Sequence, residues 1–373
     1  MERRQLIKNS AFAVAAFALS KDLFAKQGER YFSKNVEGPN NGIIKLSSNE
    51  NPHGPAESAK KAMIDAVIIS NRYQFDINTE LREAIGKLTG HTKDNVLLGA
   101  GSSELLGVVT SWTAYKKGNI VASEPTFKVW LPAARKLGLP TKLVPLTSSK
   151  HNDLNALFNA MDADTKMLYL CNPNNPTGTV SPKSELEAFV KTVTSKTILL
   201  MDEAYTDYYD SPSMSHLVSS NPNLIIAKTF SKTYGMAGAR VGYVLAHPDT
   251  IKELSAFMAW ANAGPSAVSM RGALGVINDK AFVEYVKAEN IKAKSILYKG
   301  FNDLGIKYIE SFTSFVYFDT KTYPKNIPDV LKANNIIGAR SFEDNSSWLR
   351  LSIGTVQEMT KVVEALKAGA TKV

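Results

Sequence analysis

Cysteine is almost absent from this chain. Cys171 is the only one among 373 residues, which excludes an intramolecular disulfide, a cysteine zinc cluster and a CxxC redox pair. Within the apolar run KMLYLCNP it reads as a small core residue. No internal repeat and no low-complexity linker interrupts the sequence. Basic residues outnumber acidic ones, 44 Lys and Arg against 35 Asp and Glu for a net charge of +9, yet no stripe of lysines interleaved with aromatics is present. The charge therefore reads as a basic solvated surface, and nucleic acid is not an expected partner. A composition of 44% hydrophobic and 21% charged residues is that of a soluble globular protein, long enough for one large domain with a smaller one beside it.

The amino terminus, MERRQLIKNSAFAVAAFALSKDLFA, differs from everything after it. A charged start with Arg3 and Arg4 leads into an apolar run from Ala11 to Leu19 and then to small residues at Ala18 and Ser20. The run is too short to cross a bilayer as a helix but has the length of a signal-peptide core. The order Arg-Arg-Gln-Leu-Ile-Lys resembles the twin-arginine export signal, an address read by a receptor. Residues 1–25 are accordingly expected to be a leader cut after Ser20 or Ala25, with the twin-arginine export machinery as a partner and a periplasmic or exported location. A frayed amphipathic leader on a cytoplasmic protein is the alternative.

Beyond residue 40, short apolar runs alternate with helical patterns. NVLLGAG, GNIVASE, TKLVPL, KMLYLCN, KTILLMDEAY, NLIIAKTF and VGYVLA read as buried strands. Segments such as SSELLGVVTSW and PKSELEAFVKTVTS between them read as amphipathic helices. This alternation predicts an α/β fold, a mainly parallel sheet covered on both faces in three layers. From Ser266 the pattern changes to long helix, then two short strands and a last helix, which predicts a smaller α+β domain over 266–373.

Ligands of open parallel sheets bind beyond the carboxyl ends of the strands, and the chemically useful residues cluster there. LLGAGSSELL places Gly101, Ser102 and Ser103 at a strand-to-helix turn able to hold a phosphate. LYLCNPNNPTG ends a strand at Asn175, ILLMDEAY ends one at Asp202 and Tyr205, and IIAKTFSK ends one at Ser231 and Lys232, with Arg240 eight residues on. A dinucleotide fingerprint beginning at Gly99-Ala100-Gly101, with Glu124 as its acidic partner, competes for the glycine turn. Its third glycine is replaced by Glu104, and it leaves Lys232, Asp202 and Asn175 without a task. A phosphate-bearing cofactor that needs both a lysine and an aspartate is pyridoxal 5′-phosphate: its aldehyde takes a lysine amine as a Schiff base and its ring nitrogen needs an acid partner.

With SSNENPHGP, GAGSSE, EPTF, NPNNPTG, DEAY, TFSKTYGMAGARVGY and WLRLSIGT in that order from Leu46 onward, the chain resembles the fold-type I aminotransferases of the class I/II group, nearest the histidinol-phosphate aminotransferase branch. The resemblance implies a pyridoxal-phosphate-binding large domain over 49–265, an N-terminal segment 26–48 joining the small domain, and a homodimer with shared active sites. By the same resemblance Lys232 would hold the cofactor and act as the base. Asp202 would pair with the pyridinium nitrogen, and Asn175 and Tyr205 would bond the phenolic oxygen. Phe127 would stack on the ring. Gly101, Ser102, Ser103, Ser231 and Arg240 would grip the phosphate, with Tyr73 reaching the partner subunit's phosphate. Arg350 and Asn51 would bind the substrate, and Arg340 a second anion on it. His53, Gln74 and Phe127 depart from the branch, which has tyrosine, proline and a hydroxylated residue there. The implied reaction is ping-pong transfer of an amino group from an amino acid, histidinol phosphate or an aromatic one among them, to a 2-oxo acid. A decarboxylase or lyase on the same fold is the alternative, followed by a non-catalytic exported ligand-binding protein. No metal is expected.

Overall fold

The computed structural model describes residues 42–209 and 213–371; the expected leader and its paired arginines lie outside them. Compact units divide at Ile44/Lys45, and the elements that follow belong to the unit that begins at Lys45.

Its centre is a seven-stranded sheet of β1 (Val96–Gly99), β2 (Asn119–Glu124), β3 (Thr141–Pro145), β4 (Thr165–Cys171), β5 (Ile198–Asp202), β6 (Leu224–Thr229) and β7 (Gly242–Ala246), in the spatial order β1-β7-β6-β5-β4-β2-β3. Each of the seven apolar runs named above forms one of these strands. β7 runs against both its neighbours while the other pairings are parallel. Alternate residues of each central strand enter opposite cores, as the two-residue period of a strand requires. Leu199 and Met201 of β5 face one core, with helices α1 (Glu57–Ala66), α2 (Phe75–Thr89) and α6 (Lys183–Thr194) covering it. Ile198 and Leu200 face the other, beneath α3 (Ser102–Tyr115), α4 (Leu131–Lys136) and α7 (Pro248–Ser255). Two cores around one sheet make the expected three layers; α5 (Leu154–Asn159) also packs on the first core.

Helix α8 (Ala267–Val276) falls in the stretch the sequence assigns to the small domain, yet Met270, Ala273 and Val276 belong to the core under the large sheet. It approaches α1 closely. A Cβ added at Gly272 would lie 2.6 Å from the Met63 side chain, and one at Gly275 2.6 Å from the Ser58 carbonyl oxygen. The glycines that permit this contact carry no hydrophobic signal in the sequence.

The carboxyl-terminal part holds α9 (Lys280–Asp303), β8 (Lys307–Ile309), β9 (Phe315–Asp319), α10 (Ile327–Ala333), β10 (Ile336–Gly338), β11 (Arg340–Ser341), β12 (Trp348–Ser352) and α11 (Val356–Ala370). Here β11, β12, β9 and β8 form an antiparallel sheet of four strands in that order, more than the two strands expected. The additional ones are two or three residues long, too short to show a period. Thr355 and Glu358 form a reciprocal capping box at the start of α11.

Candidate active site

A cavity of 480 Å³ opens at the carboxyl edge of the central sheet, and one strand reversal explains its composition. Because β7 returns antiparallel to β6, with Thr229 opposite Gly242, the whole of segment 230–241 stays at that edge. Lys232 follows β6, Arg240 precedes β7, and both therefore border the same space. β1 also ends there, with Gly99 opposite Gly242. A larger cleft of 630 Å³ at the amino edge holds Asp162, three lysines and two asparagines, but its acid is solvent-exposed and already paired with Lys142, unlike the buried Asp202.

One end of the cavity is built by close approach. Gly101 caps α3 with φ +81 and ψ 162, and a Cβ there would sit 2.1 Å from Arg240 Nη2. Gly242 has the same role one strand over, since its Cβ would lie 2.3 Å from the Ser102 nitrogen. Arg240, itself at φ 56, donates to the Ala100 carbonyl at 3.2 Å, the Ala237 carbonyl at 2.9 Å and Ser231 Oγ at 3.3 Å. Ser102 and Ser103 occupy the first turn of α3 and line the cavity, where free N–H groups and the helix dipole favour an anion.

At the other end, Asp202 closes β5 and is buried. Its Oδ1 accepts from the Ala204 N–H at 3.1 Å and its Oδ2 from the Tyr169 hydroxyl at 3.0 Å. The Lys232 amine donates to the Asn49 carbonyl at 3.2 Å and lies 5.5 Å from the Tyr205 ring centre. The Tyr205 oxygen accepts from Asn49 Nδ2 at 3.0 Å and from Asn175 Nδ2 at 3.5 Å, so its own proton is free to be donated. Arg350, only 5% exposed, gives Nη1 to Asn175 Oδ1 at 2.7 Å and Nη2 to the Ser47 carbonyl at 2.9 Å, while its buried Nε has no partner among the described residues. Phe127, Arg340 and Phe342 complete the wall.

The model of the family described as aminotransferase class I and II matches residues 41–366. The chain belongs to the class I and II aminotransferases. It is 31% identical over 330 residues to the histidinol-phosphate aminotransferase of Moorella thermoacetica, covering 87% of this chain and 85% of that one. With the histidinol-phosphate aminotransferase of Symbiobacterium thermophilum it shares 33% over 331 residues, 87% and 90% of the two chains. The crystal structure of histidinol-phosphate aminotransferase from Sinorhizobium meliloti in complex with pyridoxal-5′-phosphate superposes with a TM-score of 0.80 at 26% identity, covering 87% of this chain and 91% of that one.

The aminotransferase uses pyridoxal 5′-phosphate, and its residues fit that group. The Gly101 cradle with α3 and Arg240 suits a phosphate, a buried carboxylate suits a protonated ring nitrogen, and the amine lies within the same cavity. Burial lifts the Asp202 carboxyl to about 6, against the Ala204 and Tyr169 hydrogen bonds and the Lys232 charge. A cationic ring nitrogen is the partner such a carboxylate needs. Burial, reinforced by the Arg350 charge, brings the Lys232 amine down to about 8, within reach of the neutral form required of a nucleophile and base. Burial also raises the Tyr205 phenol above its ordinary value, opposed by Arg350, so it remains protonated at neutral pH. For Arg350 burial lowers the value to about 10.

Of the residues read from the sequence, Ser102, Ser103, Phe127, Asn175, Asp202, Tyr205, Ser231, Lys232, Arg240, Arg340 and Arg350 line the cavity. Gly101 shapes it from behind. Asn51 does not line it: its Nδ2 donates to the Thr233 carbonyl at 2.8 Å and its Oδ1 accepts from the His53 N–H at 3.0 Å. Asn49, two residues earlier, does. Its backbone stands at φ 52, a left-handed conformation that asparagine tolerates better than most residues, and two asparagines in SSNENP leave the choice between them open. Phe342 was not singled out either, because a phenylalanine in a loop carries no chemical signal. Tyr73 lies on the surface beside Trp260, outside the cavity.

Proposed function

We propose that this aminotransferase takes its amino group from a donor carrying a second anion or an aromatic side chain, histidinol phosphate among them, and delivers it to a 2-oxo acid such as 2-oxoglutarate. The observation that carries this reading is the pairing of Arg340 and Arg350 at one cavity, in register across β11 and β12. Arg350, held by Asn175 and Ser47 with one buried N–H to spare, takes the substrate carboxylate. Arg340, at the exposed rim, takes the second anion. The names of the relatives support a phosphorylated donor.

Bound pyridoxal phosphate supplies the electron sink for the carbanion at the substrate Cα. Asp202 would keep the proton on its ring nitrogen, and Tyr205 and Asn175 would hold its phenolic oxygen. Ser102, Ser103, Ser231 and Arg240 would fix its phosphate. Lys232 Nζ would hold the group's aldehyde carbon and, as a free amine, would carry the proton between the substrate Cα and that carbon. The experiment that tests the substrate reading mixes the loaded enzyme with single amino acids and with histidinol phosphate and follows the cofactor's absorbance. A conversion faster with alanine than with every aromatic or phosphorylated donor would overturn it.

The homodimer belongs to the same proposal. Tyr73 is 78% exposed and forms a patch with Phe75 and Trp260, ring centres 5.1 and 5.7 Å from that of the tryptophan, an apolar surface of the kind that a second subunit covers. Mixing inactive Y73F and K232A chains should restore activity in the hybrid if Tyr73 serves the neighbouring site. We also propose export by the twin-arginine route on the strength of Arg3 and Arg4. Changing both to Lys should trap the enzyme in the cytoplasm, and finding the wild type only there with residues 1–20 attached would end the idea.

A further inference from the structure

Asp202 is held on its buried side by a phenol from the next strand. Cys171 of β4 stands opposite Asp202 of β5, so Tyr169, two residues earlier, projects from the same face of the sheet. Its ring is completely buried against Trp130, ring centres 5.0 Å apart. Its hydroxyl reaches Asp202 Oδ2 at 3.0 Å. Burial, with the nearby Asp202 and Cys171, raises the phenol well above its ordinary value, so it keeps its proton and can only donate to an ionised carboxylate. A carboxylate oxygen accepts more than one donor, which leaves room for a ring nitrogen.

We propose that Tyr169 is a positioning residue for Asp202, fixing the carboxylate in the ionised, cofactor-facing orientation through a single buried hydrogen bond. The proposal rests on the cofactor reading of the cavity. The other donor to this carboxylate is the Ala204 N–H. The charged and titratable groups that face it are Lys232, Glu203, Tyr205 and Cys171. Lys232 favours ionisation and Glu203 opposes it. Without Tyr169 the carboxylate loses one of two neutral donors in a site where burial already favours its protonated form.

The test is Y169F, which removes one oxygen and keeps the ring. The dissociation constant of pyridoxal phosphate is measured from pH 5 to 8 for the wild type, Y169F, D202A and the double variant, beside thermal melts. Expected are about tenfold weaker binding in Y169F near neutral pH and an acid limb displaced upward by about one pH unit. No further loss is expected when Y169F is added to D202A. Replacing Tyr169 by 3-fluorotyrosine, which keeps the shape and donates more strongly, should move the limb the other way, and it supplies the answer if Y169F does not fold. An equal loss in both backgrounds, or an unmoved limb, would overturn the proposal. Undiminished cofactor binding in D202A would instead overturn the cofactor reading.

Discussion

Arg340 and Arg350 stand directly opposite each other on antiparallel strands, and both guanidinium groups lie near one ring, that of Phe342, at 5.9 and 4.3 Å from its centre. Like charges placed across a strand pair repel. The aromatic face offsets part of this, and on the substrate proposal an anionic ligand would offset the rest. The buried member has its two hydrogen-bonded nitrogens fixed by Asn175 and Ser47, whereas no side-chain hydrogen bond among the described residues holds the exposed one.

Unequal burial gives unequal consequences. R350A should cost about 2–5 kcal/mol in transition-state binding for every substrate with a 2-carboxylate. R340A should cost about 1 kcal/mol, and only for substrates with a second anion. Steady-state kcat/KM for alanine, an aromatic amino acid and histidinol phosphate separates the two. Equal losses for alanine and for the phosphorylated donor in R340A would show the division of labour to be wrong.

Covalent capture of the cofactor should depend on Lys232 alone and on its lowered amine. Borohydride reduction followed by peptide mass spectrometry should label Lys232 in the wild type and nothing in K232A. With the amine at about 8, the capture rate should rise with pH up to about 8 and level off above it. A rate still climbing at pH 10 would mean an amine of ordinary basicity.

Asp202 should trade stability for chemistry. Burial raises its carboxyl from 3.8 to about 6, so in that window the cofactor-free folded protein binds more protons than the unfolded chain. The contribution of this group is therefore fully present below pH 3.8 and is lost as pH rises through 6. D202N cannot ionise. It should be more stable than the wild type at pH 7 by up to about 3 kcal/mol without cofactor, an advantage that grows from pH 4 to 6 and then flattens. Turnover should fall by orders of magnitude. Urea titrations across that range read the first effect, and a D202N protein no more stable at pH 7 would falsify the assignment of burial as the cause.

Gly101 should tolerate no side chain. G101A forces a Cβ into the Arg240 guanidinium at a backbone angle reserved largely for glycine. Cofactor affinity should drop by about 2 kcal/mol, the scale of a charge-assisted hydrogen bond to phosphate, with the chemical step on bound cofactor nearly unchanged. Equilibrium dialysis of the cofactor checks it.

The strands and the site chemistry were legible for one physical reason. Each central strand is buried on both faces, so it is written as a continuous apolar run, and four of the runs lead into polar residues that line the cavity, as LLMD ends on Asp202. What escaped is carried by backbone shape and contact. The positive φ of Asn49, the close glycine contacts that draw α8 onto α1, and the position of Phe342 between two arginines leave no periodic trace. The direction of β7 was equally silent, since VGYVLA reads the same in either sense.

That direction decides how the site can change. Asp202 and Lys232 follow neighbouring parallel strands, β5 and β6, so their spacing is set by the hydrogen-bonded lattice of the sheet. The reach from Lys232 to Arg240 is set instead by a return loop whose two ends are pinned at Thr229 and Gly242. Residues gained or lost inside that loop would re-aim the phosphate grip while leaving the acid and amine in place. One half of the site is rigidly inherited from the sheet, and the other is open to adjustment.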